Sequence, residues 1–222
     1  MLIYFFDLMI YILMIMFLGY IEYNKIILPI TIFFGFLLFM LIHELLDYKS
    51  NKPPLNLIDF ICSIRNVLLL SIFSYIIQDY MNKDTLLNIS VFEHIYTIIL
   101  WNFSTDIIFY YMHRFCHNKY LYIYIHKPHH KYRIARPIYC QYSNILELLI
   151  IIIPSIFGLL LIIEVQWIIA TAWFVIMINH NTYSHKSSLN SNDYHGYHHL
   201  YYKYNYGNSQ WIDSLHGTVF IR

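Results

Sequence analysis

The chain has 222 residues, enough for one domain, and 59% of them are hydrophobic while only 12% are charged. This composition is too apolar for an ordinary water-soluble domain. The net charge of +1, without a basic stripe, argues against a nucleic-acid-binding protein. The three cysteines form no CxxC pair, which argues against a disulfide scaffold.

Apolar runs in the chain predict about four to six membrane segments. The expected spans are residues 1–20, 26–42, 60–78 and, more weakly because of its polar side chains, 91–112. Residues 145–179 are expected to form a membrane hairpin that turns near Glu164. The sequence therefore predicts an all-α, polytopic membrane protein with a single domain, in which residues 1–105 are anchor helices and residues 106–222 carry the chemistry.

The order of the spans predicts which polar segments share a side of the membrane. Residues 43–59, 113–144 and 180–222 fall on one side, together with twelve of the fourteen Lys and Arg residues when Arg65 is included. Twelve of the thirteen histidines fall there too. By the positive-inside rule, this histidine-rich cap is expected to face the cytosol.

The first histidine group is His113-Arg-Phe-Cys-His117. Residues four apart on a helix face the same way, so the two imidazoles can bind one metal ion. Asp106 and Tyr110 continue that helix face, and an aspartate there can accept the spare N–H of a ligand imidazole. An amphipathic helix end with two solvent-facing histidines is the alternative for this pair taken alone.

Two further groups, at residues 126–130 and 195–199, have the pattern HxxHH. Their presence argues against a chance cluster of solvent-facing histidines. Adjacent histidines point in different directions, so each member of an HH pair is expected to serve a different metal ion. The predicted ligands are His113, His117, His126, His129, His130, His180, His195, His198 and His199, with His185 as an additional candidate. Nine imidazoles exceed what one ion can use, so the sequence predicts two metals. We interpret His43, His94 and His216 as structural residues or as residues that contact the metal ligands.

The predicted ligand set contains imidazoles and no thiolate, which argues against a structural zinc site. A lipid C–H bond offers no handle for acid–base or nucleophilic attack, so a metal must carry the difficult chemistry. Iron with positions open for O₂ suits a site set against lipid. Beyond the metal ligands, the sequence identifies no separate catalytic or cofactor-binding residue.

Three strings in this chain resemble the fatty acid hydroxylase/sterol desaturase superfamily of membrane di-iron enzymes. Asp106 to His117 is similar to its first histidine box, and residues 121–130 to its second. Glu147 stands where the family often has an acidic residue, and Asp213 lies in a segment similar to the closing signature. The strings His-Lys-Pro-His-His at 126–130 and Tyr-Asn-Tyr-Gly at 204–207 are most similar to sterol C-5 desaturases (lathosterol oxidases).

The resemblance implies an O₂-dependent enzyme of lipid metabolism with two iron ions, acting as a sterol desaturase. It also implies electrons from cytochrome b5 or its reductase, a sterol or fatty acyl substrate, and a place in the endoplasmic reticulum membrane. One alternative on the same scaffold is a fatty acyl or sterol hydroxylase, or a C-4 methyl oxidase. An alternative of another class is a membrane metal transporter or metal-storage protein, although ionisable residues deep inside several spans would then be expected.

Overall fold

The computed structural model describes residues 24–47, 52–82, 91–161, 163, 165–186 and 194–220. Regular structure in these ranges is almost entirely helical, as the sequence predicts. The α-helices are α1 Ile27–Leu46, α2 Leu57–Ile77, α3 Val91–Cys116, α4 Ile145–Phe157, α5 Trp167–Ser184, α6 Tyr194–Tyr201 and α7 Gln210–Leu215. Short 3₁₀ helices lie at Gln78–Tyr80, His129–Lys131, Pro137–Tyr139 and Gly158–Leu161. Two-residue strands, β1 Met81–Asn82 and β2 Val165–Gln166, form one parallel pair.

Helices α1 and α2 are long and apolar enough to cross a membrane. They correspond to the predicted spans 26–42 and 60–78, and each is longer than predicted. Asn56 begins α2 by accepting the backbone N–H groups of Ile58 and Asp59, which satisfies donors that have no partner inside the helix. Large apolar side chains such as Phe34 and Ile76 point outward and are exposed, as a lipid-facing helix requires.

The other predicted spans have different outcomes. The span at 1–20 lies outside the described residues. The weak span at 91–112 is part of α3, whose 26 residues continue to Cys116. In the predicted hairpin 145–179, α4 is shorter than a membrane span, and α5 is buried along most of its length. The second arm of the hairpin is therefore a core helix of the bundle instead of a lipid-facing one.

Helix α5 occupies the centre of the bundle, packed along α1 and against α3. Trp173 of α5 stacks on Trp101 of α3 with ring centroids 4.6 Å apart, and the Trp101 Nε1–H donates to the carbonyl of Ile156 in α4. A Cβ at Gly35 of α1 would lie 3.5 Å from Ile178 of α5, an ordinary contact distance. These contacts hold α3, α4 and α5 around a shared interior.

Contacts at the two ends of the bundle follow the predicted order of sides. At one end, Lys25 pairs with Asp79 and β1 pairs with β2. At the other end, His43 lies 2.8 Å from Asn179, at the C-terminal ends of α1 and α5. Lys131, which follows the second histidine group, contacts Asp59 at the start of α2 over 2.6 Å. The histidine-bearing segments therefore gather at one end.

Candidate metal centre

The histidines gather where α3 and α5 end and α6 begins. His113 and His117 occupy the last turn of α3 and the residue after it, and His185 caps the end of α5. Two clusters result, each with one ring nitrogen per residue within 4.8 Å of the others. Group A consists of His113, His117, His126, His130 and His198, and group B consists of His129, His185, His195 and His199.

In group A, the Nε2 atoms of five imidazoles converge. The Nε2 of His126 lies 2.8 Å from that of His113 and 2.9 Å from that of His130. The Nε2 of His198 lies 3.1 Å from that of His130 and 3.1 Å from that of His117. The five rings therefore point the same atom at one small volume.

Group B is built on the same principle beside it. The Nε2 atoms of His195 and His199 are 3.1 Å apart. The ring of His185 lies 4.7 Å from that of His195, and the ring of His129 lies 4.7 Å from that of His199. Rings of the two groups are neighbours as well, since His129 and His130 have centroids 5.7 Å apart.

The sequence spacing explains how the residues divide. Histidines four apart share a group: 113 with 117, 126 with 130, and 195 with 199. The histidine that lies inside each HxxHH pattern belongs to the other group: His129 lies in group B and His198 in group A. Residues four apart lie on one helix face, whereas a residue next to them points elsewhere. The prediction that each HH pair divides between two sites agrees with this geometry.

Hydrogen bonds to backbone carbonyls determine the tautomer of several rings. The Nδ1 of His113 lies 2.6 Å from the carbonyl of Tyr206, and the Nδ1 of His198 lies 2.7 Å from that of Tyr204. In group B, the Nδ1 of His185 lies 2.8 Å from the carbonyl of Asn181. A carbonyl oxygen only accepts, so each Nδ1 carries the proton and each Nε2 presents a lone pair.

Converging lone pairs of this kind suit a bound metal ion. Burial lowers the pKa of His117 to about 3 and the pKa of His129 to about 4. Both rings are therefore neutral near pH 7 and can act as metal ligands. Within the described part of the chain, the buried Nε2 of His185 has no hydrogen-bond partner. Neutral imidazole is a ligand for iron, zinc and copper. Each group therefore has the donor set of a transition-metal site.

The loop after α6 supplies the carbonyls that orient His113 and His198. Asp213 of α7 holds this loop: its carboxylate accepts the backbone N–H groups of Tyr206 at 3.0 Å and Gly207 at 2.7 Å. Asn205 has a φ of 57°, in the left-handed region that asparagine tolerates better than most residues. Asp213 therefore acts on the imidazoles indirectly, through the loop whose carbonyls accept from His113 and His198.

The prediction that Asp106 accepts from a ligand imidazole is wrong in its partner. The Asp106 carboxylate accepts hydrogen bonds from Ser209 and from Trp211 Nε1, the latter over 2.8 Å. The spare N–H of His113 goes to a backbone carbonyl instead. Tyr110 contacts Arg114 and the Thr218 hydroxyl, which is 3.1 Å away. Both residues therefore tie the closing segment of the chain to α3.

The structure differs from the sequence prediction at His180, a predicted ligand, and at His185, an additional candidate. His180 belongs to neither group, whereas His185, only an additional candidate, lies in group B. They are five positions apart in the chain, so at 100° per residue their side chains leave the helix in directions about 140° apart. His180 faces the cavity beside the histidine groups.

A cavity of about 870 Å³ opens onto both groups. His113 and His126 of group A line it, together with His129, His185 and His195 of group B. Its remaining wall includes apolar side chains from α4 and α5, namely Ile151, Ile152, Ile156, Trp173, Ile176 and Met177. Pockets of a few hundred to about a thousand Å³ hold small organic ligands. The cavity therefore brings histidines of both groups together with an apolar wall, and polar side chains such as Asn102 and Gln141 also line it.

The side-chain pattern alone did not identify two features of the site. The carbonyls of Tyr204 and Tyr206 carry no side-chain signal, so only the folded loop identifies them as acceptors. The sequence places Glu147 at the start of the hairpin, and the structure puts its carboxylate 3.1 Å from the Nδ1 of His126.

Comparisons with known proteins agree with this geometry. The chain is 33% identical over 109 residues to a Delta(7)-sterol 5(6)-desaturase of Leptosphaeria maculans, covering 46% of this chain and 31% of that protein. It is 34% identical over 129 residues to human fatty acid hydroxylase domain-containing protein 2, covering 54% and 38%. It is 30% identical over 122 residues to rat methylsterol monooxygenase 1, covering 49% and 41%.

The matched segments thus span less than half the length of each of these relatives. No solved structure matches the chain. The sequence profile of the fatty acid hydroxylase family matches residues 98–218, which include every histidine of groups A and B. The chain therefore belongs to the fatty acid hydroxylase family.

Proposed function

We propose that this protein is an O₂-dependent, di-iron membrane oxidoreductase that acts on a lipid. The observation that carries this proposal is the pair of converging imidazole groups that line a cavity with an apolar wall. An iron pair held there would supply O₂ activation and the removal of hydrogen from an unactivated carbon. Group A and group B would hold one ion each.

The residues of this chain would orient both the metals and the lipid. Backbone carbonyls hold His113, His198 and His185 with Nε2 directed inward, which presents lone pairs without a reorganisation cost. The apolar wall around Trp173 and Met177 would bind a hydrocarbon skeleton and exclude water from the metals. The exposed apolar faces of α1 and α2 would hold the protein in the membrane from which the substrate comes.

Within lipid oxidation, we propose desaturation of a sterol at the C-5 position as the first candidate. Its support is the likeness to a Delta(7)-sterol 5(6)-desaturase and the two strings at residues 126–130 and 204–207. Hydroxylation or C-4 methyl oxidation on the same scaffold is the second candidate. It is favoured by similarities of about the same strength to a fatty acid hydroxylase domain-containing protein and a methylsterol monooxygenase.

We further propose that the histidine end faces the cytosol of the endoplasmic reticulum and receives electrons from cytochrome b5 or its reductase. The support is electrostatic, because exposed cations surround that end. They include Arg114, Lys119, Lys127 and Lys203. Such a surface favours the approach of an acidic redox protein, at a rate that falls with ionic strength.

The deciding experiment is lipid profiling of cells that lack a sterol C-5 desaturase, with and without this protein. We expect the wild-type chain to restore the ring double bond, and a His198→Ala variant made at the same level to restore none. A hydroxylated or demethylated product, with metal present, would assign the second candidate. Wild-type protein that binds no metal and changes no lipid would refute the proposed function.

A further inference from the structure

Glu147 occupies an unusual position between the two histidine groups. It is the third residue of α4 and is 2% exposed. Asn144 begins this helix by accepting the backbone N–H of Leu146, and a π-helical stretch, Leu148–Ile152, follows Glu147 directly. Such π stretches are frequent at functional sites, where they change the direction in which a side chain points.

The two carboxylate oxygens of Glu147 approach one ring from each group. Its Oε2 lies 3.1 Å from the Nδ1 of His126, which belongs to group A. Its Oε1 lies 3.8 Å from the Nδ1 of His129, which belongs to group B. The two rings are nearly parallel, with centroids 5.3 Å apart and an interplanar angle of 23°. One carboxylate therefore lies beside ligand candidates of both groups, and the Nδ1 of His129 has its hydrogen bond with the carbonyl of Tyr142, 3.1 Å away.

The contact with His126 is close but not yet aligned. In the described part of the chain, neither the Nδ1 of His126 nor the Oε2 of Glu147 has a hydrogen-bond partner at good geometry. A small rotation of the imidazole would turn its N–H onto the carboxylate. His126 is also a group A residue whose Nδ1 has no backbone carbonyl acceptor among those described, so Glu147 is the partner available to set its tautomer.

The burial of the Glu147 carboxylate also favours bound cations nearby. Among the described residues, the ion-pair contacts of its carboxylate are with histidines, and no Lys or Arg joins them. An isolated carboxylate at this depth is costly, and its cost is offset by nearby positive charge. Two cations bound by groups A and B would supply that charge from both sides.

We propose that Glu147 is a positioning residue shared by both metal sites, an inference that rests on the metal binding of the proposed function. It accepts the Nδ1–H of His126, which directs the Nε2 lone pair of that ring into group A. Its charge also acts on His129 and so strengthens ligation in group B. Removing the charge should therefore weaken both sites, whereas removing a ligand of one group should affect mainly that group.

The test is metal affinity in purified, detergent-solubilised protein, measured with Co²⁺ and with Fe²⁺ by chelator competition. We expect wild type to bind about two ions and Glu147→Gln, which keeps the size of the side chain, to bind both about 10- to 100-fold more weakly. His126→Ala should lose about one ion. Glu93→Gln, in the first turn of α3 and far from His113 along that helix, is the control and should match wild type.

The outcomes separate this inference from the proposed function. Wild-type affinity in Glu147→Gln, or weakening of only one of the two ions, would overturn the shared role. If Glu147→Gln fails to fold, as judged by helicity and monodispersity, Glu147→Asp keeps the charge at a shorter reach. That variant is expected to bind both ions with intermediate affinity, and wild-type affinity there would count against the inference. Wild-type protein that binds no metal would overturn the proposed function and this inference together.

Discussion

His113 donates its Nδ1–H to the backbone carbonyl of Tyr206 over 2.6 Å, a bond that joins two residues 93 positions apart in the chain. The carbonyl belongs to a loop that the Asp213 carboxylate holds through two backbone N–H groups. The orientation of a candidate metal ligand on α3 therefore depends on a carboxylate in α7.

The first prediction tests this dependence with Asp213→Ala. The fully buried carboxylate also accepts from the Tyr194 hydroxyl at 2.7 Å and from the Thr218 hydroxyl at 2.6 Å. Leaving these donors unsatisfied should cost on the order of 3 kcal/mol or more of folding free energy. We expect a lower melting temperature and loss of the ion in group A, measured by thermal unfolding and metal analysis. Asp79→Asn, an exposed ion-pair partner at the other end, should change neither.

The second prediction concerns the division of ligands between groups. His130→Ala and His117→Ala both remove a group A imidazole, so the double variant should still bind about one ion per chain. His130→Ala combined with His199→Ala removes one imidazole from each group, and we expect nearly complete loss of metal. Metal analysis of the two double variants, made at equal level, compares the same number of lost histidines. Equal metal content in both would refute the two-group assignment.

The parts of this site that depend on side-chain spacing could be predicted from the sequence, and the parts that depend on backbone geometry could not. The spacing of His126, His129 and His130 is a side-chain pattern, so the candidate ligands and their division between two sites could be inferred from it. The choice between His180 and His185 depends on where α5 ends, and helix ends are poorly defined by sequence. The carbonyls of Tyr204 and Tyr206 act as acceptors because of the backbone conformation of a folded loop. Every residue has a carbonyl, so the residue types do not identify them.

The same distinction applies to the fold. Hydropathy identifies α1 and α2 well, because their length and apolar surface satisfy the membrane criterion directly. It cannot separate them from α5, since a helix that is apolar on all sides is either lipid-facing or buried in protein. Stacking of Trp173 on Trp101 and burial of Ile168 and Ala172 place α5 in the interior. Those contacts require the tertiary structure.

The third prediction concerns pH and the metal-free protein. The pKa values of His117 and His129 are lowered from 6.5, to about 3 and about 4, mainly by burial. Below pH 6.5 the unfolded chain therefore binds protons that the folded chain does not, so stability falls as the pH falls. The decline should run from about pH 6.5 down to about pH 3, the lower of these two folded pKa values. Thermal unfolding after chelation measures it, and a flat profile across this range would contradict the burial of these rings.

The fourth prediction compares two glycines in the closing segment. A Cβ at Gly207 would lie 2.8 Å from Ile212 Cγ2 and 3.0 Å from a carboxylate oxygen of Asp213. Gly207→Ala should therefore displace the loop that orients His113 and lower both stability and metal content. Gly217 has a φ of +63° and open space around its Cβ position, so Gly217→Ala should carry only backbone strain, about 1 kcal/mol. Metal content should remain at the wild-type level in that control.

The last prediction separates lipid binding from metal binding. Met177 lines the cavity on α5, so Met177→Trp should fill part of the space that a hydrocarbon skeleton needs. Met177 belongs to neither group A nor group B, and we therefore expect about two ions per chain to remain bound. Product formation should fall about 5- to 100-fold, because overpacking an apolar site costs roughly 1 to 3 kcal/mol and the substrate would have to displace the new indole ring. Phe34→Trp, on the exposed face of α1, is the matched control and should retain product formation. Full activity in Met177→Trp would show that the substrate reaches the metals by another route.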